Sequence, residues 1–526
     1  MRATMHNQGL GSWIHRRRVK SAAQTALISG DDRLSYGELA ERVDRLANAF
    51  DARGIRSGDR VAYLGENHPA FLETLFACGA LGVIFVPLNT RLAAPEIASA
   101  LTDSGSRLLV HAASLTDLAE RGSVGTQVAQ RIRVADAAAP APAAETRQPG
   151  PAGLPVEDFD AVVAGAPATH RDENVTLDDP ALILYTSGTT GQPKGALLTH
   201  GNMTWNSFNV LVDYDFVSSD VALMIAPMFH VASLGMGVLP MLLKGGSVVL
   251  EPRFEPGRTL HLIEQHHATV ISGVPTTYQL LCEHPDWVST DISSLQKLTC
   301  GGSAVPARVL EAYEQRGLSF SGGYGLTETA PGATSLAPHK SREKAGSAGL
   351  PHFFTDVRIV DEAGAEVPTG EVGEIQISGP NVIREYWNRA EATADSYAGN
   401  VWFRSGDMGY FDEHGYLFIS DRLKDMIISG GENIYPAEIE LAVSELESVS
   451  SVAVIGVPDE KWGEVPCAVV TVRDGFTLEA DDIQAHLQGR LARYKIPKRV
   501  VIVAEMPRTA SGKIRKADLR RAHAAS

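Results

Sequence analysis

The chain is poor in cysteine. Its four, Cys78, Cys282, Cys300 and Cys467, are scattered, without the paired spacing of a metal knuckle and with no basis for a disulfide framework. It also lacks a basic excess. Forty-seven Lys and Arg stand against 63 Asp and Glu, a formal charge of −16, which is the wrong sign for a nucleic-acid partner. No apolar run approaches a membrane span. "HRRRVK", His15 to Lys20, is not followed by the apolar stretch of a secretory leader. We read this cluster as a solvated face, with weak peripheral contact on an anionic surface as the alternative. The expected location is the cytoplasm.

What is present suits a soluble enzyme: 44% hydrophobic and 21% charged residues. With 526 residues, two or more domains are expected. Ser35 and Glu38 form an S-x-x-E capping box ahead of Leu39, Val43, Leu46, Ala47 and Phe50 at helical spacing. "RVAYLG" and "VIFVPLN" then read as buried strands around a helix, and the alternation continues through "ALILYTSG", "SVVLEP", "ATVISGVP" and "LQKLTCGG". The fold class is therefore α/β with mostly parallel sheets. Residues 136–155, rich in Ala and Pro, read as an insertion and not as a domain boundary. The boundary is expected near "DRLK", giving a large domain over 1–421, a hinge at 422–424 and a small α+β domain over 425–526.

The most chemically loaded stretch is "YTSGTTGQPKG", Tyr185 to Gly195. An apolar strand leads into it. Its glycines let backbone N–H groups turn toward an anion, its hydroxyls add donors, and Lys194 adds a mobile charge. It has no G-K-[ST] and no G-x-G-x-x-G, so neither a Walker loop nor a dinucleotide fold is supported. Alone, such a segment is more often a surface turn.

It does not stand alone. "APMFHVASLG", "GVPTTY", "CGGSAVP", "GYGLTE", "GEIQISGPNVIREYWNRAEAT", "WFRSGD", "DRLKDMIISGGENIYPAEIE", "YKIP" and "SGKI" follow in that order. Together they resemble the adenylate-forming superfamily of acyl-CoA synthetases, luciferases and peptide-synthetase adenylation domains over nearly the whole chain. The resemblance implies a two-step ligase. A carboxylate attacks the α-phosphate of ATP and expels pyrophosphate, and a thiol then attacks the acyl carbon and expels AMP.

It also implies roles. Thr186, Ser187, Gly188, Thr189, Thr190, Gly191 and Lys194 hold the departing phosphates. Glu328 holds Mg²⁺, an ion suited to one carboxylate plus phosphate oxygens, and Thr327 meets the α-phosphate. Tyr324 stacks on adenine opposite Gly301, Gly302 and Ser303, with Gly323 and Gly325 beside it. Asp407 takes the ribose hydroxyls and Arg422 a further ribose or phosphate contact. Lys513 enters during the first step to neutralise charge as two anions meet, with Thr186, Glu328 and His230 completing the catalytic set. Lys424 is the hinge about which a mobile small domain turns. Gly430 and Gly431 then leave room for the pantetheine arm of coenzyme A.

The acyl pocket is expected at His230, Val231, Ala232, Gly325, Ala330 and Pro331, apolar enough for an uncharged tail. His230 is read as a gate or carboxylate neighbour. "FHVAS" lacks the aspartate of amino-acid-activating relatives. Lys513 stands 13 residues from the last with no carrier domain after it, which favours free CoA. "NTRLAAPEI" and "YWNRAEAT" look like bacterial fatty acyl-CoA synthetases. "NQGLGSW", "YLGENHPAFLETLFACG" and "GYGLTETAPG" resemble actinobacterial synthetases for ferulate and other hydroxycinnamates. A general acyl substrate is placed first and an aryl-propenoate second. ATP, CoA and a small carboxylic acid are the expected partners, with the chain a monomer or homodimer. The alternatives are an acyl-AMP-forming or luciferase-like enzyme without CoA, and a non-catalytic nucleotide-binding regulator.

Overall fold

The structure is a computed structural model that describes residues 6–136, 153–186, 193–302, 305–422, 425–429, 432–459, 462–488, 490–491, 493–509 and 513–523. Two large sheets dominate. The strand Ile84–Leu88 is buried at every position, as expected of a strand covered on both faces. It lies in an eight-stranded sheet, parallel to Arg60–Leu64, which in turn runs parallel to Leu108–Ala112. A nine-stranded sheet carries Val221–Met224, Ser247–Leu250, Val270–Gly273, Lys297–Gly301 and Phe320–Tyr324, all parallel. The capping box is formed: the Ser35 amide donates to Glu38 Oε2 at 2.8 Å, and helix Tyr36–Ala52 starts there.

On either side of the Ala/Pro-rich stretch, strands Gln130–Val134 and Val156–Asp158 pair in one sheet. The stretch is thus an insertion into a continuous sheet; its residues 137–152 lie outside the described ones. The basic cluster does more than face solvent. Arg17 Nε donates to the Leu243 carbonyl at 2.9 Å and Arg18 pairs with Asp44 at 2.9 Å. These contacts fasten helix Gly11–Ser21 to the core.

A third sheet is antiparallel throughout. It joins Asp356–Val360, Gly373–Ser378, Tyr397–Ala398, Trp402–Phe411 and Leu417–Arg422. Strand–helix alternation did not announce this layer, because its strands are mostly linked by turns and bends. Beyond Arg422 a separate small unit is built on the hairpin of Val449–Asp459 and Gly463–Val472, with helices Pro436–Ser444, Ala480–Leu487 and Lys516–His523. It has its own apolar core around Ile439, Val454, Val470 and Ile483. Lys424 lies outside the described residues.

The small unit rests on the large one at polar contacts. Arg308 Nη1 donates to the Val449 carbonyl at 3.3 Å, and Arg91 Nη1 to the Thr509 carbonyl at 3.4 Å. Arg473 faces Glu283 at 3.7 Å. All three contacts are long, and the Arg473 guanidinium is buried among them.

One buried amide shapes the turn after "GYGLTE". Asn381 donates to the carbonyls of Thr329 and Gly332 at 2.8 and 2.7 Å and accepts from Thr355 Oγ1 at 2.8 Å. Asn381→Ala strands these groups in the interior, so urea unfolding should show a loss of about 3 kcal/mol. An unchanged midpoint would contradict the role.

Candidate functional site

The site forms where parallel strands of the nine-stranded sheet end, the usual ligand edge of an open α/β sheet. Lys297–Gly301 and Phe320–Tyr324 finish side by side, with Gly301 opposite Gly323. The backbone there is crowded. A Cβ on Gly323 would lie 3.0 Å from the Thr334 carbonyl and 3.1 Å from Tyr214 Oη. Tyr324 leaves the strand end and donates its hydroxyl to Asp407 Oδ2 at 2.6 Å. Asp407 is buried on Trp402–Phe411 and paired in register with Arg422. The adenine and ribose candidates therefore meet, although they come from different sheets.

Gly302 follows with φ at +88°, a conformation that favours glycine. A Cβ there would stand 3.2 Å from Lys513 Cε and 3.9 Å from its Nζ. The small unit thus delivers its lysine onto the edge of the large one. Thr509 and Lys513 bond each other: the Thr509 amide donates to the Lys513 carbonyl at 2.7 Å, and the Lys513 amide to Thr509 Oγ1 at 3.1 Å. Arg91 donates to the Thr509 carbonyl.

His230 lies close enough to feel that ammonium. Burial first, then Lys513 and Arg91, push its imidazole down to about 4. It is therefore neutral at physiological pH, and its Nε2 is buried with no hydrogen-bond partner among the described residues. This suits a neighbour of a carboxylate substrate better than a proton carrier.

Glu328 sits in the turn Thr327–Thr329, and Tyr386 Oη donates to its Oε1 at 2.8 Å. Lys194 opens the strand Lys194–Thr199, with Nζ 5.4 Å above the Tyr386 ring. Thr186 ends the partner strand Pro180–Thr186, opposite Lys194. The hairpin flanks of the glycine-rich loop are thus beside Glu328. Ser187, Gly188, Thr189, Thr190 and Gly191, like Ser303, Gly430 and Gly431, lie outside the described residues.

The acyl candidates gather around one crossing. A Cβ on Gly235 would meet the Ala330 carbonyl and Pro331 Cδ, each at 2.6 Å, and one on Gly325 would fall 1.7 Å from the Pro331 carbonyl. Gly325 is therefore bare because the turn's own backbone fills the space. Val231, Ala330 and Pro331 are buried, whereas Ala232 is exposed. Sequence reasoning gave no role to Arg91, Asn206 or Tyr386. Asn206 bonds both the Gly235 carbonyl and the Gly332 amide, at 2.8 and 3.0 Å, so it sets this crossing. Tyr386 lay within the motif "GEIQISGPNVIREYWNRAEAT" and opened the run "YWNRAEAT" used to compare subfamilies, but nothing in either singled it out.

Elsewhere, His15, Asp44 and His170 cluster. Arg18 already donates to both Asp44 and His15 Nδ1, so a resident guanidinium supplies the cation there.

Residues 14–387 match the family described as AMP-binding enzyme, and residues 438–513 its C-terminal domain. The chain belongs to the AMP-binding enzyme family. It is 50% identical over 517 residues to a feruloyl-CoA synthase of Amycolatopsis, covering 98% of this chain and 99% of that one. It is 37% identical over 521 residues to the long-chain-fatty-acid–CoA ligase FadD13 of Mycobacterium tuberculosis, covering 99% of each. The anthranilate CoA ligase AuaEII, solved with anthranoyl-AMP, superposes with a TM-score of 0.90 at 26% identity, covering 98% of this chain and 97% of that one. The AMP-binding enzyme described here is accordingly an ATP-dependent, AMP-forming acid–CoA ligase. Among the described residues no helix is long and apolar enough to cross a membrane.

The sign of the His230 shift fixes a pH dependence. The unfolded chain takes up this proton near pH 6.5 and the folded chain only near 4. Stability is therefore lost as the pH falls across that interval. In labelled protein the His230 ring should show no protonation between pH 6 and 8 by NMR. A midpoint near 6.5 would contradict the buried, cation-flanked environment.

Proposed function

We propose that this ligase acts on an aromatic acid, an aryl-propenoate of the ferulate type, with magnesium-bound ATP and free CoA. The observation that carries the reading is the arrival of Lys513 at Gly302, directly after the strand that pairs with the one ending in Tyr324. The higher identity to a feruloyl-CoA synthase than to a fatty-acid ligase favours the second of the two substrate classes weighed from the motifs.

Adenine stacks on Tyr324 opposite the backbone of Gly301, Gly302 and Ser303. Asp407, with Arg422, receives the ribose. The loop from Thr186 to Gly191 and Lys194 grips the β- and γ-phosphates, and Thr327 meets the α-phosphate. His230, Val231, Ala232, Ala330 and Pro331 line the acid. The carboxylate oxygen bonds to the α-phosphorus and the pyrophosphate oxygen leaves. Lys513 neutralises the charge that gathers between them, an electrostatic contribution aimed at the transition state.

Glu328 fits a magnesium ion. It is one carboxylate with an oxygen already held by Tyr386, beside the lysine of the phosphate loop, and Mg²⁺ takes its remaining ligands from phosphate and water. When bound, the ion neutralises phosphate charge.

For the second step the small unit, residues 425–526, turns about 422–424 at Lys424. Lys513 withdraws, and Gly430 and Gly431 pass the pantetheine arm. The thiol sulfur bonds to the acyl carbon, AMP leaves and the thiol proton goes to solvent. A cytoplasmic location goes with these substrates.

Lys513→Ala should lower acid-dependent ATP–pyrophosphate exchange by about 10²- to 10³-fold, yet spare thioester formation from supplied acyl-AMP. Equal losses in both would refute the division of labour. Across a panel of acids, ferulate and coumarate should exceed palmitate in kcat/KM by at least about tenfold. The reverse order would refute the aromatic assignment.

A further inference from the structure

We propose that Tyr386 is a positioning residue of the adenylating site, locking the Glu328 carboxylate and the Lys194 ammonium into one arrangement. The inference rests on the reading of Glu328 as the magnesium carboxylate and names the residue that aims it.

Tyr386 is placed by backbone. Strand Glu385–Tyr386 pairs antiparallel with Lys194–Thr199, setting Tyr386 opposite Ala196. The Trp387 amide donates to the Gly195 carbonyl at 2.7 Å. The segment that carries the tyrosine is therefore bonded to the strand that begins with Lys194. It also holds Glu328 by the main chain, since the Ile383 amide donates to the Glu328 carbonyl at 2.9 Å.

A second tie runs through Asp103. Tyr185 Oη and Arg389 Nη2 donate to its two carboxylate oxygens at 2.9 and 2.8 Å, and the Trp387 indole donates to its carbonyl at 2.9 Å. Tyr185 leads into the glycine-rich loop and Lys194 leads out of it. The stretch from Ile383 to Arg389 thus braces both flanks of the loop and Glu328 together.

At the centre of this brace the two faces of one side chain do different work. The hydroxyl donates to Glu328 Oε1, and the ring lies under the Lys194 ammonium, an attractive cation–π placement. A phenol keeps its proton at neutral pH and so remains a donor there. A donor on one oxygen fixes the carboxylate's rotation and leaves Oε2, which has no hydrogen-bond partner among the described residues, to face the cation. Side chains that orient a metal-binding carboxylate in this way change metal affinity without touching the metal.

The test uses the full chain and measures ATP binding by calorimetry, once with Mg²⁺ and once with EDTA. Wild type should bind ATP more tightly with Mg²⁺. Tyr386→Phe, which keeps the ring, should lose about tenfold of that magnesium increment with unchanged affinity in EDTA. Tyr386→Leu should weaken binding in EDTA as well, because Lys194 loses its platform. In a Glu328→Gln background Tyr386→Phe should add no further loss of the increment. A full increment in Tyr386→Phe, or an equal loss in the Glu328→Gln background, overturns the proposal. A wild-type enzyme with no magnesium increment would overturn the parent reading of Glu328 and this one with it.

Discussion

The placement of one ammonium group governs the rest of this architecture. Lys513 belongs to the small unit, yet its side-chain end lies against Gly302 on the large one. A lysine is a mobile point charge with costly rotamer entropy, so it is useful at a reacting centre only if its backbone is held. The mutual bonds of Thr509 and Lys513, and the hold of Arg91 on the Thr509 carbonyl, provide that support. The contacts of Arg308, Arg91 and Arg473 across the seam are long. In the proposed reaction this balance matters, because the same lysine must be present for one step and absent for the next.

The large unit shows the complementary strategy. Its candidate site is assembled from three sheets, with Gly301 and Tyr324 on one, Asp407 on another, and Thr186 and Lys194 on a third. Buried amides and tyrosines stitch the sheets together. Asn381 fixes the turn after Glu328, Asn206 joins the Gly235 and Gly332 backbones, and Tyr386 spans Glu328 and the strand that begins with Lys194. Polar groups in an interior are expensive unless satisfied, and here each satisfies backbone or carboxylate groups that shape the site. His230 illustrates the reverse case, a buried imidazole kept neutral by its surroundings.

Much of this was legible in the sequence. Continuous apolar runs such as "IFVPL" announced the parallel strands, and the Ser35–Glu38 box marked a helix start that the structure reproduces. The motif order led to Tyr324 and Asp407, which bond each other, and to Lys513, which reaches Gly302. The antiparallel third sheet escaped notice because the alternation of strands with helices does not describe it. Arg91 and Tyr386 escaped for a different reason. Their roles depend on contacts to Thr509 and Glu328, far away in the chain, and spacing carries no record of such pairs. Gly325 was read as a small pocket wall, whereas the Pro331 carbonyl explains its missing side chain.

In the proposed reaction a carboxylate oxygen of the acid becomes bonded to the α-phosphorus of ATP. Single-turnover reaction with ferulate carrying ¹⁸O in its carboxylate, followed by mass spectrometry of AMP and pyrophosphate after addition of CoA, tests it most directly. One labelled oxygen is expected in AMP and none in pyrophosphate. Label in pyrophosphate, or unlabelled AMP alongside full thioester formation, would contradict it.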